Sequence, residues 1–193
     1  MPKEVILDIE TYGDIKDHSN LKVTVVSIYE YEHDRYSSFE ESELGNLWPI
    51  LEKAERLIGF NSECFDLPIL NRYYTGDLTK FPNLDLLKVI KDSSGRRFKL
   101  NEIPKATLEI QKSADGLQAS KWFEEGKLEE IKKYCEQDVR VTKGIYEFGR
   151  KNRMLYYPTI AGDIRPIAVN FVEPARTAAG ETKASGINLT LPL

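Results

Sequence analysis

Glu4-Val5-Ile6-Leu7-Asp8-Ile9-Glu10-Thr11-Tyr12 is the stretch on which the reading of this chain turns. Residues 4–9 are short, apolar and rich in β-formers, as in a strand. A strand's side chains alternate with a period of two, so Asp8 and Glu10 share one face. Two acids on one strand face either meet water at a sheet edge or converge with partners in a cleft, because burying an unpaired charge is costly.

Outward from that strand, the polar segment 13–20 leads to Lys22-Val-Thr-Val-Val-Ser-Ile-Tyr-Glu30, whose β-branched density predicts a second strand. A third short strand is expected over 34–40. Ser42-Glu43-Leu44 then opens an amphipathic helix with Leu44, Leu47, Trp48 and Leu51 on its apolar side. Residues 56–60 read as a buried strand, 65–74 as a helix, and 84–90 as a strand or a strand-to-helix turn. The run 91–99 is polar and basic and reads as an exposed loop. Helical spacing returns at 100–108, 116–124 and 127–150, and a terminal hairpin is expected from Leu155-Tyr156-Tyr157 and 164–172. Strands first and helices after them predict an α/β fold with a mixed central sheet flanked by helices. The expected organisation is a core over 1–152, a hairpin extension over 153–172, and a flexible linker and tail over 173–193, rich in Pro, Ala, Gly, Thr and Ser before its last residues.

The chain has 193 residues, 41% of them hydrophobic, enough for one globular core without staples. Cys64 and Cys135 are far apart and lack metal-ligand neighbours, so both are read as reduced thiols of a cytoplasmic protein. No apolar stretch reaches the roughly 18 residues of a membrane span. The formal charge of −4 lacks the basic signature of a duplex-DNA binder. That objection loses force if several carboxylates gather divalent cations, which then supply the positive charge that meets phosphate.

Further acids lie at telling places. Asp66 follows the predicted strand 56–60 at a strand-to-helix junction, where capping a helix is its other possible task. Tyr134 and Asp138 stand four apart in the longest helical pattern, hence on one face, and the neighbouring Cys135 and Val139 turn that face towards the sheet. Four acids from three segments would make an oxygen-rich site of the kind Mg²⁺ and Mn²⁺ prefer.

Asp8-Ile9-Glu10-Thr11, then Gly59-Phe60-Asn61 through Phe65-Asp66-Leu67-Pro68, then Tyr134-Cys135-Glu136-Gln137-Asp138 resemble, in order, the three exonuclease motifs of the DEDDy group of the RNase H-like superfamily. The likeness is greatest to the proofreading domain of family B DNA polymerases and related free-standing exonucleases, and it covers about residues 4–150, with no room in this sequence for a polymerase domain. The resemblance implies an RNase H-like fold and a metal-dependent 3′→5′ exonuclease with Asp8, Glu10, Asp66, Asp138 and Tyr134 as catalytic residues. It implies two Mg²⁺ or Mn²⁺: one held by Asp8, Glu10 and Asp138, the other reached by Asp8, its waters held by Asp66. Tyr134, whose unperturbed pKa near 10 suits it to positioning, would orient the attacking water, and the product would be a nucleoside 5′-monophosphate.

By the same resemblance Asn61 contacts the substrate strand, and Thr11, Tyr12 and Phe65 lie where a terminal nucleotide would sit. Tyr12 either stacks on a base or packs, and Arg96 and Arg97 either track phosphates or belong to a solvated loop. The final Asn188-Leu189-Thr190-Leu191-Pro192-Leu193 resembles the linear motif that docks bacterial repair proteins onto the sliding clamp, with Leu189, Leu191 and Leu193 entering an apolar groove; a plain disordered tail or a strand on its own domain are the other readings. Clamp binding would favour DNA, acted on at single-stranded 3′ ends in repair or replication. An exoribonuclease, an endonuclease on structured substrates and a nuclease-fold binding module are the rival functions.

Overall fold

The structure, a computed structural model, describes residues 3–14, 17–108, 116–159 and 161–171. Five strands form one sheet: β1 (Glu4–Tyr12), β2 (Lys22–Glu30), β3 (Arg35–Glu40), β4 (Arg56–Gly59) and β5 (Asn83–Asp85), in the order β3-β2-β1-β4-β5. β1, β2 and β3 are antiparallel neighbours, whereas β4 runs parallel to both β1 and β5. Among the described residues six α-helices accompany them: α1 (Leu44–Lys53), α2 (Asp66–Leu70), α3 (Leu86–Ser94), α4 (Glu102–Thr107), α5 (Gly116–Glu124) and α6 (Leu128–Asn152). β6 (Met154–Pro158) and β7 (Ile164–Ala168) make the expected hairpin.

The alternation of β1 sorts the core into two layers. Val5, Leu7 and Ile9 pack with Leu44, Leu47 and Leu51 of α1 and Leu67 and Leu70 of α2. Ile6 points the other way, into a cluster with Leu86 and Ile90 of α3 and Val139, Ile145 and Tyr146 of α6. Leu155, Ile167, Val169 and Phe171 join that second cluster, so the hairpin region shares the core of the domain. Asp8 and Glu10 continue the Ile6 face, and the two acids therefore lie under α6, which packs across β1 and β2.

At its N-terminal end β1 carries a buried polar knot. Arg56 donates to Glu4 and, at 2.8 Å, to the Tyr146 hydroxyl, which itself lies 2.8 Å from Glu4 Oε2. The knot ties β1, β4 and α6 at the end of the strand away from Asp8 and Glu10.

Two segments differ from the sequence reading. Residues 91–94 belong to α3, which ends at Gly95 with φ +75°. Lys91, Asp92 and Ser93 form its solvent-facing side, so three consecutive polar residues had the look of a loop, and Phe98 beyond them is buried. The helix expected over 65–74 stops at Leu70, and the Asn71 side chain accepts the Leu78 amide at 2.7 Å, which turns the chain towards β5. The tail leucines Leu189, Leu191 and Leu193 and the linker from 173 lie outside the described residues. Among the described residues no helix is long and apolar enough to cross a membrane, and both cysteines are free thiols, Cys64 exposed and Cys135 buried.

Candidate active site

β4 pairs with β1 only as far as Ile6. Beyond that point β1 keeps β2 on one side, and its other edge is open to the turn that follows β4. Asp8 stands opposite Ser27 and Glu10 opposite Val25, after which the register shifts and Thr11 pairs with Val23. The residue left over, Thr24, donates its hydroxyl to the Glu10 carbonyl at 2.9 Å. This bulge turns the end of the strand immediately after the second acid.

α6 supplies the third acid. Its inward face presents Tyr134 and Asp138, 5% and 4% exposed, as the spacing of four predicts. Carboxylate oxygens of Asp8, Glu10 and Asp138 all lie within 4.8 Å of one another. Three carboxylates this close repel unless a cation joins them, and an all-oxygen donor set suits a hard divalent ion. The residues present therefore fit the metal that the sequence motifs imply.

Asp66 stands beside this cluster. It begins α2, is buried, and its carboxylate is hydrogen-bonded by the backbone N–H of Ile9, the residue between the two β1 acids. Burial pushes its pKa up to about 7, and the nearby Asp85 carboxylate adds to the rise while backbone hydrogen bonds oppose it. So the structure brings Asp8, Glu10 and Asp138 into one cluster and sets Asp66 next to it along the β1 backbone.

The turn between β4 and α2 depends on two special positions. A side chain at Gly59 would put its Cβ 2.5 Å from that of Ser62, so only glycine permits the close approach. Asn61 takes a left-handed conformation, φ +72°, which asparagine tolerates better than most residues. Its side-chain Oδ1 accepts from Arg97 at 2.7 Å, its own N–H is held by Asp85, and Phe65 meets His18 edge-on at 5.2 Å. Arg97 is exposed, whereas the Arg96 guanidinium lies over Phe98 and Tyr157, 4.4 and 5.4 Å from their ring centres, and pairs with Glu102. The two arginines thus have different surroundings: Arg97 faces the motif turn and Arg96 faces the hairpin.

On the opposite flank, Tyr12 is 39% exposed and its ring lies 4.4 Å from that of Phe123 on α5. Trp122 meets Tyr134 at 6.0 Å, so α5 lays an aromatic wall between the end of β1 and α6. Thr11 is half-buried at the same strand end. Sequence reasoning passed over Trp122, Phe123, Cys135 and Asp85. Cys135 places its sulfur 3.3 Å from the Asp8 carbonyl and 3.6 Å from Asp8 Oδ2. Burial raises its thiol pKa well above the usual value, with the Asp8 and Glu10 charges adding, so it stays a neutral S–H donor. Only Asp85 left a trace in the sequence, as an acid directly before Leu-Leu at a strand-to-helix turn.

A mixed sheet of this order, with helices on both faces and carboxylates converging on its first strand, defines the class: an RNase H-like fold. The RNase_H superfamily profile matches residues 5–148, three quarters of the sequence, and the chain belongs to that family. Among solved structures it is similar to the family B DNA polymerase from the hyperthermophilic archaeon Pyrobaculum calidifontis, with a TM-score of 0.59 and 16% identity. That match covers 76% of this chain and 24% of the polymerase, so the chain spans about a quarter of its relative's length, and the likeness is one of fold. No curated protein sequence matches it.

Proposed function

We propose that this protein is a metal-dependent 3′→5′ exonuclease that releases nucleoside 5′-monophosphates from single-stranded or frayed DNA ends. The observation that carries the reading is the Asp8, Glu10 and Asp138 cluster, with Tyr134 one helical turn before Asp138 on the same inward face. Asp8, Glu10 and Asp138 would hold one Mg²⁺ or Mn²⁺, and Asp8 would reach a second whose waters Asp66 holds. Bound divalent cations supply Lewis acidity at the scissile phosphate and a water acidic enough to attack near neutral pH.

The chain's own residues do the rest. Tyr134 directs the attacking water through its hydroxyl, a positioning task that leaves the phenol protonated. Asn61, its amide fixed by Arg97, offers N–H donors to the substrate strand, and Arg97 adds a charge that phosphate can share. Tyr12 with Phe123, and Phe65 of the motif turn, stack on the last bases, while Thr11 meets the terminal sugar. A base stacked on such a platform must be unpaired, which favours single-stranded or frayed ends over intact duplex.

The test uses 5′-labelled DNA and RNA oligonucleotides, single- and double-stranded, with Mg²⁺, Mn²⁺ or EDTA. A metal-dependent ladder shortening from the 3′ end of single-stranded DNA is expected. A preference for RNA would make the protein an exoribonuclease, discrete internal cuts an endonuclease, and inert substrate a binding module.

A further inference from the structure

Asp85 ends β5, caps α3, and is buried although it belongs to none of the three motifs. Its Oδ1 accepts the amides of Leu87 at 2.9 Å and Lys88 at 3.3 Å, the ordinary work of an N-cap. The same carboxylate reaches across to the turn after β4. There Oδ1 accepts the Asn61 amide at 2.8 Å and Oδ2 accepts the Glu63 amide at 3.1 Å. An N-cap needs no second loop, so these two bonds ask for another explanation.

The turn needs such an anchor because Asn61 is left-handed and because β4 has already left the sheet at Gly59. Lys88 also pairs with Glu63, but both side chains are well exposed, and exposed ion pairs contribute little. A buried carboxylate accepting amide hydrogens is a far stronger tether. It also explains why Asp85, close to Asp66, does not add a fifth acid to the metal cluster: its oxygens are committed to amides.

We infer that Asp85 is a positioning residue of the nuclease site, its carboxylate bridging the start of α3 to the 61–63 turn and so fixing where Asn61 meets the substrate strand. The inference rests on the nuclease reading above and adds a residue that reading does not use. The two oxygens can be separated chemically. In Asp85→Asn the remaining carbonyl oxygen still accepts from α3 and from the Asn61 amide, whereas the new NH₂ faces the Glu63 amide, donor against donor, so the turn that sets Asn61 loses its second tether.

The experiment measures steady-state cleavage of a 5′-labelled single-stranded DNA oligonucleotide by the full chain. Asp85→Asn is expected to raise KM about tenfold, the effect of one lost charge-assisted bond, with kcat changed less. In an Asn61→Ala background the same substitution should change KM by less than about twofold, because the two residues act through one contact. Asp77→Asn, at a cap whose partners, the Thr79 amide and hydroxyl and Lys80, all lie within its own turn, is the control and should leave KM unchanged. If Asp85→Asn does not fold, Asp85→Ser, which keeps a capping oxygen, is read in the same way. An unaltered KM, or a tenfold rise added on top of Asn61→Ala, overturns the positioning role while wild-type cleavage still stands. A wild-type chain that cuts nothing removes the nuclease reading, and this inference with it.

Discussion

The backbone N–H of Ile9 hydrogen-bonds to the carboxylate of Asp66, so the acid of the second motif is bound to the peptide between the acids of the first. In an apolar setting that carboxyl titrates near 7, against about 3.9 for an unfolded aspartate. A raised folded-state pKa means that the native state binds more protons than the unfolded state between those values. The metal-free protein therefore loses stability as pH rises from about 4 to about 7 and loses no more from this group above that. Asp66→Asn carries no charge at any pH. In EDTA its melting temperature should exceed that of wild type by a margin that widens across this window, each kcal/mol giving about 2–4 °C. Mn²⁺ at pH 8 should narrow the margin by stabilising wild type more than the variant, which keeps the Asp8, Glu10 and Asp138 cluster but lacks the Asp66 charge. A margin independent of pH would mean that Asp66 is solvated.

Asp8 receives a different kind of support. The Cys135 sulfur touches both its carbonyl and its carboxylate, in a cluster with Val25, the residue opposite Glu10. Groups that orient a metal ligand typically matter by about 10- to 100-fold in metal affinity. Cys135→Ala is expected to raise the Mn²⁺ concentration for half-maximal activity by about tenfold, and Cys135→Ser, which keeps a donor, by much less. Thiol titration provides a check on the geometry itself: one cysteine, the exposed Cys64, should react in the native protein and both in denaturant.

On the proposed nuclease reading, the clustered acids themselves give the largest effects. Asp8→Ala or Asp138→Ala should abolish turnover in a protein that still unfolds cooperatively, since removing a carboxylate from a mutually repelling cluster relieves strain in the metal-free fold. Tyr134→Phe keeps the ring against Trp122 and loses only the hydroxyl, so activity should fall by about 10²-fold with substrate affinity intact. Wild-type rates in Asp138→Ala would refute the assignment of the site.

What could be read from the sequence was whatever obeys a local period. Asp8 and Glu10 two apart, and Tyr134 and Asp138 four apart, announced their shared faces because strand and helix geometry alone determines them. The motif order supplied Asp66 and Asn61. Contacts between elements distant in the chain were invisible: nothing in Trp122-Phe123 says that α5 crosses towards Tyr12, and Cys135 had no mark distinguishing it from a core thiol until β1 lay beneath it. Arg96 and Arg97 illustrate the same limit, being adjacent and alike in sequence yet directed by the hairpin and the motif turn to different partners. The end of α3 was missed for a local reason, since a solvent-facing helical turn and a loop have the same composition.

The Glu4, Arg56 and Tyr146 knot should govern stability without touching catalysis, because it lies at the end of β1 away from the metal-site acids. Arg56→Ala leaves buried Glu4 with the Tyr146 phenol and the half-exposed Arg150, 3.6 Å away, and is expected to cost about 3 kcal/mol in urea unfolding. Tyr146→Phe removes one hydroxyl from the same network and should cost about 1–2 kcal/mol. Both variants, while folded, should cleave at wild-type rate; a large drop in kcat would mean that α6 shifts as a whole when the knot is cut.

Phe123 and Arg97 should divide substrate binding into two physically distinct parts. Phe123 acts through its face, so Phe123→Ala should weaken single-stranded DNA binding by about 1–3 kcal/mol at every salt concentration. Arg97 acts through charge, and each phosphate contact on a single strand contributes about 0.7 to the slope of log affinity against log salt. Arg97→Ala should therefore flatten that slope by about this amount and matter little at high salt, whereas Arg96→Ala, its guanidinium already committed to Phe98, Tyr157 and Glu102, should leave the slope unchanged. Fluorescence anisotropy of a labelled oligonucleotide in EDTA measures all three without turnover. Equal slopes for the two arginine variants would remove Arg97 from the path of the strand.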